Sequence, residues 1–148
     1  MALIDEVTRG IADAMRARDQ NTLGPLRMLK TALTTKEIEK GRALEAAEEL
    51  QVVASLVKQR RDSIEQFTKG NRPELAEKEG REITVLERFQ PPSASAEEVA
   101  AAVERAAGET GATSPKDFGK VMKAAMAELA GKTVDGRMVS DAVKKRLG

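Results

Sequence analysis

The chain has no cysteine and no histidine. Disulfides, thiol nucleophiles, Cys/His zinc sites and imidazole acid–base chemistry are therefore excluded together. Tryptophan and tyrosine are missing too, and Phe67, Phe89 and Phe118 are the only aromatics. Three rings are too few for a base-stacking platform on single-stranded RNA, so any RNA partner would be bound through its backbone shape. No apolar run approaches a membrane span. No glycine-rich phosphate loop is present, since Gly10, Gly24 and Gly41 stand singly. No Ser or Thr lies in a nucleophile motif with a base. The acids Glu48-Glu49, Glu77/Glu79 and Glu97-Glu98 belong to charged surface patterns and do not interrupt apolar runs. These absences predict no catalytic residues, no metal and no cofactor. Residues Met1 to Arg18 carry Asp5, Glu6 and Asp13 inside their apolar pattern, which a secretory signal would not tolerate, and the expected location is the cytoplasm.

What remains is helix-forming. In 148 residues, 41% are hydrophobic and 33% charged, enough for a core and a solvated surface. Ala, Glu, Lys, Leu and Arg dominate, and all are strong helix formers. Ile4, Val7, Ile11 and Met15 recur at three- and four-residue steps and predict a first helix to about Arg18. The polar run Asp19 to Thr22 reads as a break, with Pro25 in the first turn of a second helix that ends at Gly41. Leu50, Val53, Val57, Ile64 and Phe67 mark a long third helix stopped by Gly70. Pro73 opens a fourth, with Leu75, Ile83, Leu86 and Phe89 inward.

Pro91-Pro92 is the clearest boundary, a hinge between residues 1–90 and 93–148. Beyond it, Ser95 and Glu98 form a capping box for a short helix to about Ala107. Ser114-Pro115-Lys116-Asp117 starts a helix with Phe118, Val121, Met122, Ala125, Met126 and Leu129 inward. Asp135-Gly136 precedes a last helix carrying Val139, Val143 and Leu147. The expected fold is all-α: an N-terminal bundle of about four helices and a small C-terminal three-helix domain.

Net charge is +1, yet its distribution is uneven. Glu97 to Glu109 is acidic, and Lys116 to Arg146 is basic. On one continuous helix Lys116, Lys120 and Lys123 fall within a quarter turn, opposite the apolar face, with Lys132 and Arg137 following. Such a stripe is either a solvated face or a phosphate-contacting surface, and spacing alone favours the first. Arg60 is different, because the wheel puts it in the middle of an apolar stripe. A charge there must be paired, and Glu37 is the expected partner in a structural ion pair. Arg61 sits at the edge of that stripe and Arg27 lies laterally on the second helix.

The strings Leu26-Arg27-Met28-Leu29-Lys30, Lys58-Gln59-Arg60-Arg61-Asp62-Ser63-Ile64-Glu65-Gln66-Phe67, Gly119-Lys120-Val121-Met122 and Asp135-Gly136-Arg137-Met138-Val139 occur in this order, with Asn71-Arg72 and Leu75 between. Together they resemble the YqeY family, which is similar to the tail domain of the B subunit (GatB) of the glutamine-dependent aspartyl/glutamyl-tRNA amidotransferase. The resemblance covers nearly the whole chain. It departs at Phe89, where Tyr is frequent, and at Arg137-Met138, where Lys-Leu is more usual. It implies a non-catalytic accessory module that meets tRNA phosphates through Lys116, Lys120, Lys123, Lys132 and Arg137, with Arg27, Arg61 and Arg72 as secondary contacts. A carbon–nitrogen ligase activity with glutamine as amido donor belongs to other domains of that enzyme, and this chain has no residues for it. The competing expectation is a protein adapter docking on an amidotransferase or an aminoacyl-tRNA synthetase subunit.

Overall fold

The computed structural model describes residues 2–148 and is all-α. Among the described residues seven α-helices and one 3-10 turn divide into two compact units, with the boundary between Gln90 and Pro91. Among the described residues the one β-type pairing is an isolated bridge between Ser93 and Thr133.

The first unit holds α1 (Leu3–Ala17), α2 (Gln20–Lys40), α3 (Ala46–Lys69) and α4 (Pro73–Glu87). Leu3 and Val7 of α1, Leu26, Leu29 and Leu33 of α2, Val53, Leu56 and Val57 of α3, and Ile83, Val85 and Leu86 of α4 form its core. Each such leucine removed from water contributes roughly 1.5–3 kcal/mol. Gly10 lets α1 approach α2, since a Cβ there would lie 3.2 Å from Leu26 Cδ1. Val7 is buried and Ile4 and Ile11 pack against the core as expected, while at the end of α1 Ala14 is the buried residue and Met15 is exposed. Leu50 of α3 is also exposed.

Only Arg18 and Asp19 separate α1 from α2. Arg18 takes a left-handed conformation (φ 55°), the Asp19 amide bonds the Ala14 carbonyl at 2.9 Å, and the Arg18 amide bonds Met15 at 3.2 Å. These are the paired bonds of a Schellman stop. Asp19 then caps α2, accepting from the Thr22 amide (3.2 Å) and hydroxyl (2.7 Å). The polar run expected as a break is therefore a cap and a first turn, and Pro25 lies one turn deeper than expected. A second Schellman stop ends α3, with Asn71 left-handed (φ 57°) and Arg72 N–H on the Phe67 carbonyl at 2.8 Å. Asparagine tolerates this region better than most residues. α1 has no side-chain cap of its own; Glu49 of α3 supplies one, accepting from the Leu3 amide at 2.8 Å. Glu48 binds the end of α2 to the start of α3, accepting from Arg42 Nη1 (2.7 Å), Arg42 Nη2 (3.1 Å) and the Glu45 amide (3.0 Å), with Lys40 Nζ at 3.3 Å.

Arg60 is 4% exposed, but its partner is not Glu37. Nη1 donates to the Leu56 carbonyl at 3.1 Å, Nη2 to the Met28 sulfur at 3.1 Å, and Nε lies 3.6 Å from Glu82 of α4. The level of the helices explains the difference. Met28 marks where α2 passes Arg60, and Glu37 stands nine residues further on, about 13 Å of helix rise. α4, which packs on α3 far more closely than α2 does, supplies the acid instead.

The second unit holds α5 (Ala96–Thr110), the 3-10 turn (Pro115–Asp117), α6 (Phe118–Glu128) and α7 (Gly136–Leu147). Its core is small-residued: Val99, Ala102, Val103, Ala106 and Ala107 of α5 meet Val121, Ala125, Leu129, Val139 and Val143. Ser95 caps α5 as expected, its hydroxyl accepting from the Glu98 amide at 3.1 Å. The helix runs through Gly108 to a left-handed Gly111 (φ 67°). The unit begins at Pro91 because Thr133 bonds both prolines, its hydroxyl to the Pro91 carbonyl (2.7 Å) and its amide to Pro92 (3.0 Å).

Arg60→Ala strands a largely buried carboxylate and is expected to lower stability by about 3 kcal/mol, while Arg61→Ala, whose exposed guanidinium is 3.8 Å from Glu87, costs under about 1 kcal/mol; equal thermal melts would contradict this. The Arg42 guanidinium, then the Glu45 amide and Lys40, hold the Glu48 carboxyl at about 2, below its ordinary 4.5. A depressed carboxyl stabilises the fold above 4.5 and loses that contribution as pH falls towards 2. The Tm gap between wild type and Glu48→Gln is therefore full at pH 7 and closes over that window, as melts across an acid series would show.

Candidate nucleic-acid interface

Three of the expected phosphate contacts lie at one corner of the second unit's sequence, and local structure decides how they are presented. The Asp117 carboxylate accepts from the Thr113 amide at 3.1 Å and closes the turn around Pro115. Ser114, which precedes the turn, makes no side-chain cap bond. The chain enters α6 through a 3-10 turn, so Lys116 precedes the helix and the 100° wheel applies only to Lys120 and Lys123. On α6, Val121 and Ala125 are fully buried. Lys120 and Lys123, one turn apart, lie off that buried face and are exposed, as is Lys116. Met126, expected inward, is exposed as well.

The acidic run of α5 is turned to internal use. Glu98 pairs with Lys132, Glu128 with Arg105 (3.1 Å), and Glu104 with Arg146 (2.6 Å). Lys132, the Ser95 amide and the Lys132 charge hold the Glu98 carboxyl below its ordinary value. A lowered carboxylate is a fixed anion, the reverse of a general acid. Lys132 is thus a strut between the 131–134 loop and α5. Arg137 is exposed at the start of α7, where its amide donates to Asp135 Oδ1 at 2.9 Å. The side chains of Lys116, Lys120 and Lys123 form no ion pair or hydrogen bond among the described residues. The same is true of Lys144 and Lys145 in the last turn of α7, which the sequence reading passed over. Their signal was visible as a basic helix end, which the helix dipole favours for structural reasons alone.

The secondary candidates are spread over the first unit. Arg27 is exposed on α2, Arg61 is exposed on α3, and Arg72 follows the left-handed Asn71 as the residue before α4. The backbone of Arg72 completes the stop of α3, which gives the Asn71-Arg72 pair a structural use. Among the described residues no group of three His, Cys, Asp or Glu could hold a metal ion, and no helix is long and apolar enough to cross a membrane.

Residues 4–147 match the family described as Yqey-like protein. A relative in Kluyveromyces lactis, named altered inheritance of mitochondria protein 41, mitochondrial, is 38% identical over 68% of this chain and 56% of its own length. Its namesake in Lachancea thermotolerans is 33% identical over 68% of this chain and 55% of its own length. An uncharacterized protein of Schizosaccharomyces pombe is 28% identical over 60% of the chain and 72% of its own length. The chain thus spans little more than half of the first two relatives. Their names correct the cytoplasmic expectation: similar proteins are mitochondrial. That expectation rested on acids that disfavour a secretory signal, and the lack of a secretory signal does not decide between the cytoplasm and an organelle. With a match across nearly its entire length, the chain belongs to the YqeY family.

Proposed function

We propose that the chain is a non-catalytic accessory module that binds tRNA through its phosphate backbone. The observation that carries this reading is the separation of charge in the second unit. The acids of α5 and α6 neutralise Arg105, Lys132 and Arg146, while Lys116, Lys120 and Lys123 stay exposed and unpaired among the described residues. Unpaired lysines release counterions from a polyanion without first breaking an internal bond. The resemblance to an amidotransferase tail supplies the choice of tRNA among polyanions. With Lys132 held by Glu98, the contact set narrows to these three lysines, joined by Arg137 and by Lys144 and Lys145. Contacts to phosphate position without reading sequence, and so few of them give a Kd in the range of about 10−4 to 10−6 M at physiological salt. Arg27, Arg61 and Arg72 are secondary contacts in this reading.

A second reading is a protein adapter for an amidotransferase or synthetase subunit. Met126 and Met138, exposed on α6 and α7, favour it, because exposed methionine adapts to partner surfaces.

Binding of bulk tRNA across a salt series separates the two. Affinity is expected to fall steeply between about 50 and 200 mM salt, and Lys116/Lys120/Lys123→Ala should reduce the slope of log affinity against log salt by about 2 to 3. Absence of binding at low salt, or an unchanged slope in the triple variant, overturns the assignment of these lysines.

A further inference from the structure

The buried guanidinium of Arg60 is served by acceptors of unequal quality. Nη1 has the Leu56 carbonyl oxygen, whereas Nη2 has only the Met28 thioether sulfur, at 3.1 Å. Nε is buried without a hydrogen-bond partner, and Glu82 stands beside it at 3.6 Å. Thioether sulfur is a weak acceptor, so a charged donor is held where an oxygen would form a far stronger, charge-assisted bond. The sulfur's residue is not enclosed. Met28 is 50% exposed and lines a shallow hollow of about 320 Å3 with Arg27, Thr31 and Ala32.

We infer that Met28 is a site of reversible oxidation by peroxide, whose sulfoxide oxygen becomes the acceptor that Arg60 lacks. In the step the sulfur lone pair forms an S–O bond as the peroxide O–O bond breaks. The thioether gives up two electrons, and the second peroxide oxygen leaves as water with both hydrogens. The new oxygen carries partial negative charge and accepts from the guanidinium. The two sulfoxide epimers direct the oxygen differently, and the bond to Arg60 belongs to one of them. The bond joins α2 to α3, and oxidation here tightens the bundle where methionine oxidation elsewhere loosens a core. A sulfoxide reductase reverses it, two thiols becoming a disulfide as the oxygen leaves in water.

Met15 is an internal control: it lies in the same unit, is 55% exposed, and has no hydrogen bond to its sulfur among the described residues. The full chain is treated with hydrogen peroxide and its peptides are mapped by mass spectrometry before and after a methionine sulfoxide reductase. Met28 sulfoxide is expected to accumulate and then disappear; a Met28 still unoxidised when Met15 is fully converted, or a sulfoxide that the reductase leaves in place, overturns the site. Thermal melts then read the consequence without peroxide. Met28→Gln puts an amide oxygen near the sulfur's position and is expected to melt about 3 to 6 °C above Met28→Leu. Equal Tm values for that pair, or the same gap between Met15→Gln and Met15→Leu, would falsify the clamp.

Discussion

Taking a guanidinium out of water costs several kilocalories per mole unless its donors find acceptors and its charge finds a counter-charge. Arg60 imposes that condition on the first unit. α3 contributes a carbonyl from its own preceding turn, α2 a sulfur, and α4 a carboxylate. Leucines and valines around it would accept many rotations of the helices about their axes. The guanidinium accepts very few, because each rotation moves a partner out of reach. The apolar core thus provides most of the burial energy, and the buried charge restricts how the helices that provide it are arranged.

Among the described residues the second unit has no buried charge, and it is specified differently. Alanine and valine let α5 lie close to α6 and α7 with little apolar area for each residue. Ion pairs at the periphery tie α5 to the end of α6, to the residues that follow it and to α7. Exposed pairs of this kind contribute little to stability. Their larger effect is on charge, because α5 lies against cations that would otherwise be solvated. The basic end of the chain is thereby sorted into cations that hold the unit together and cations that face water.

Features written in local chemistry were legible in the sequence: the helical class, the box at Ser95 and Glu98, Pro73 at the start of α4, and Arg60 in an apolar stripe. What escaped required distance or geometry that spacing does not carry. Pro25 lies inside α2 because Asp19 caps the helix a turn earlier, and a proline does not reveal which of the first turns it occupies. Gly108 stays helical because the left-handed stop is at Gly111, and both glycines look alike in a string. Glu82 replaced Glu37 because a wheel gives direction around an axis and says nothing of level along it. Lys116 left the stripe because a 3-10 turn changes the angle per residue. The partition of cations into paired and unpaired depended on contacts across more than twenty residues, such as Arg105 with Glu128 and Lys132 with Glu98.

The cap that α1 borrows from Glu49 has a bearing on the order in which this protein takes shape during synthesis. The donor and acceptor are 46 residues apart, so the amide at the head of α1 has no protein acceptor until α2 and the first turn of α3 have been made. At about 5–20 residues per second the interval is roughly 2 to 9 seconds. Over that time α1 is a helix of fifteen residues with an open end, near the length at which an isolated helix is marginal in water. The nascent chain therefore gains a finished first helix only when its third has begun, and the N-terminal unit closes as a ring of dependencies and not as a succession of completed helices.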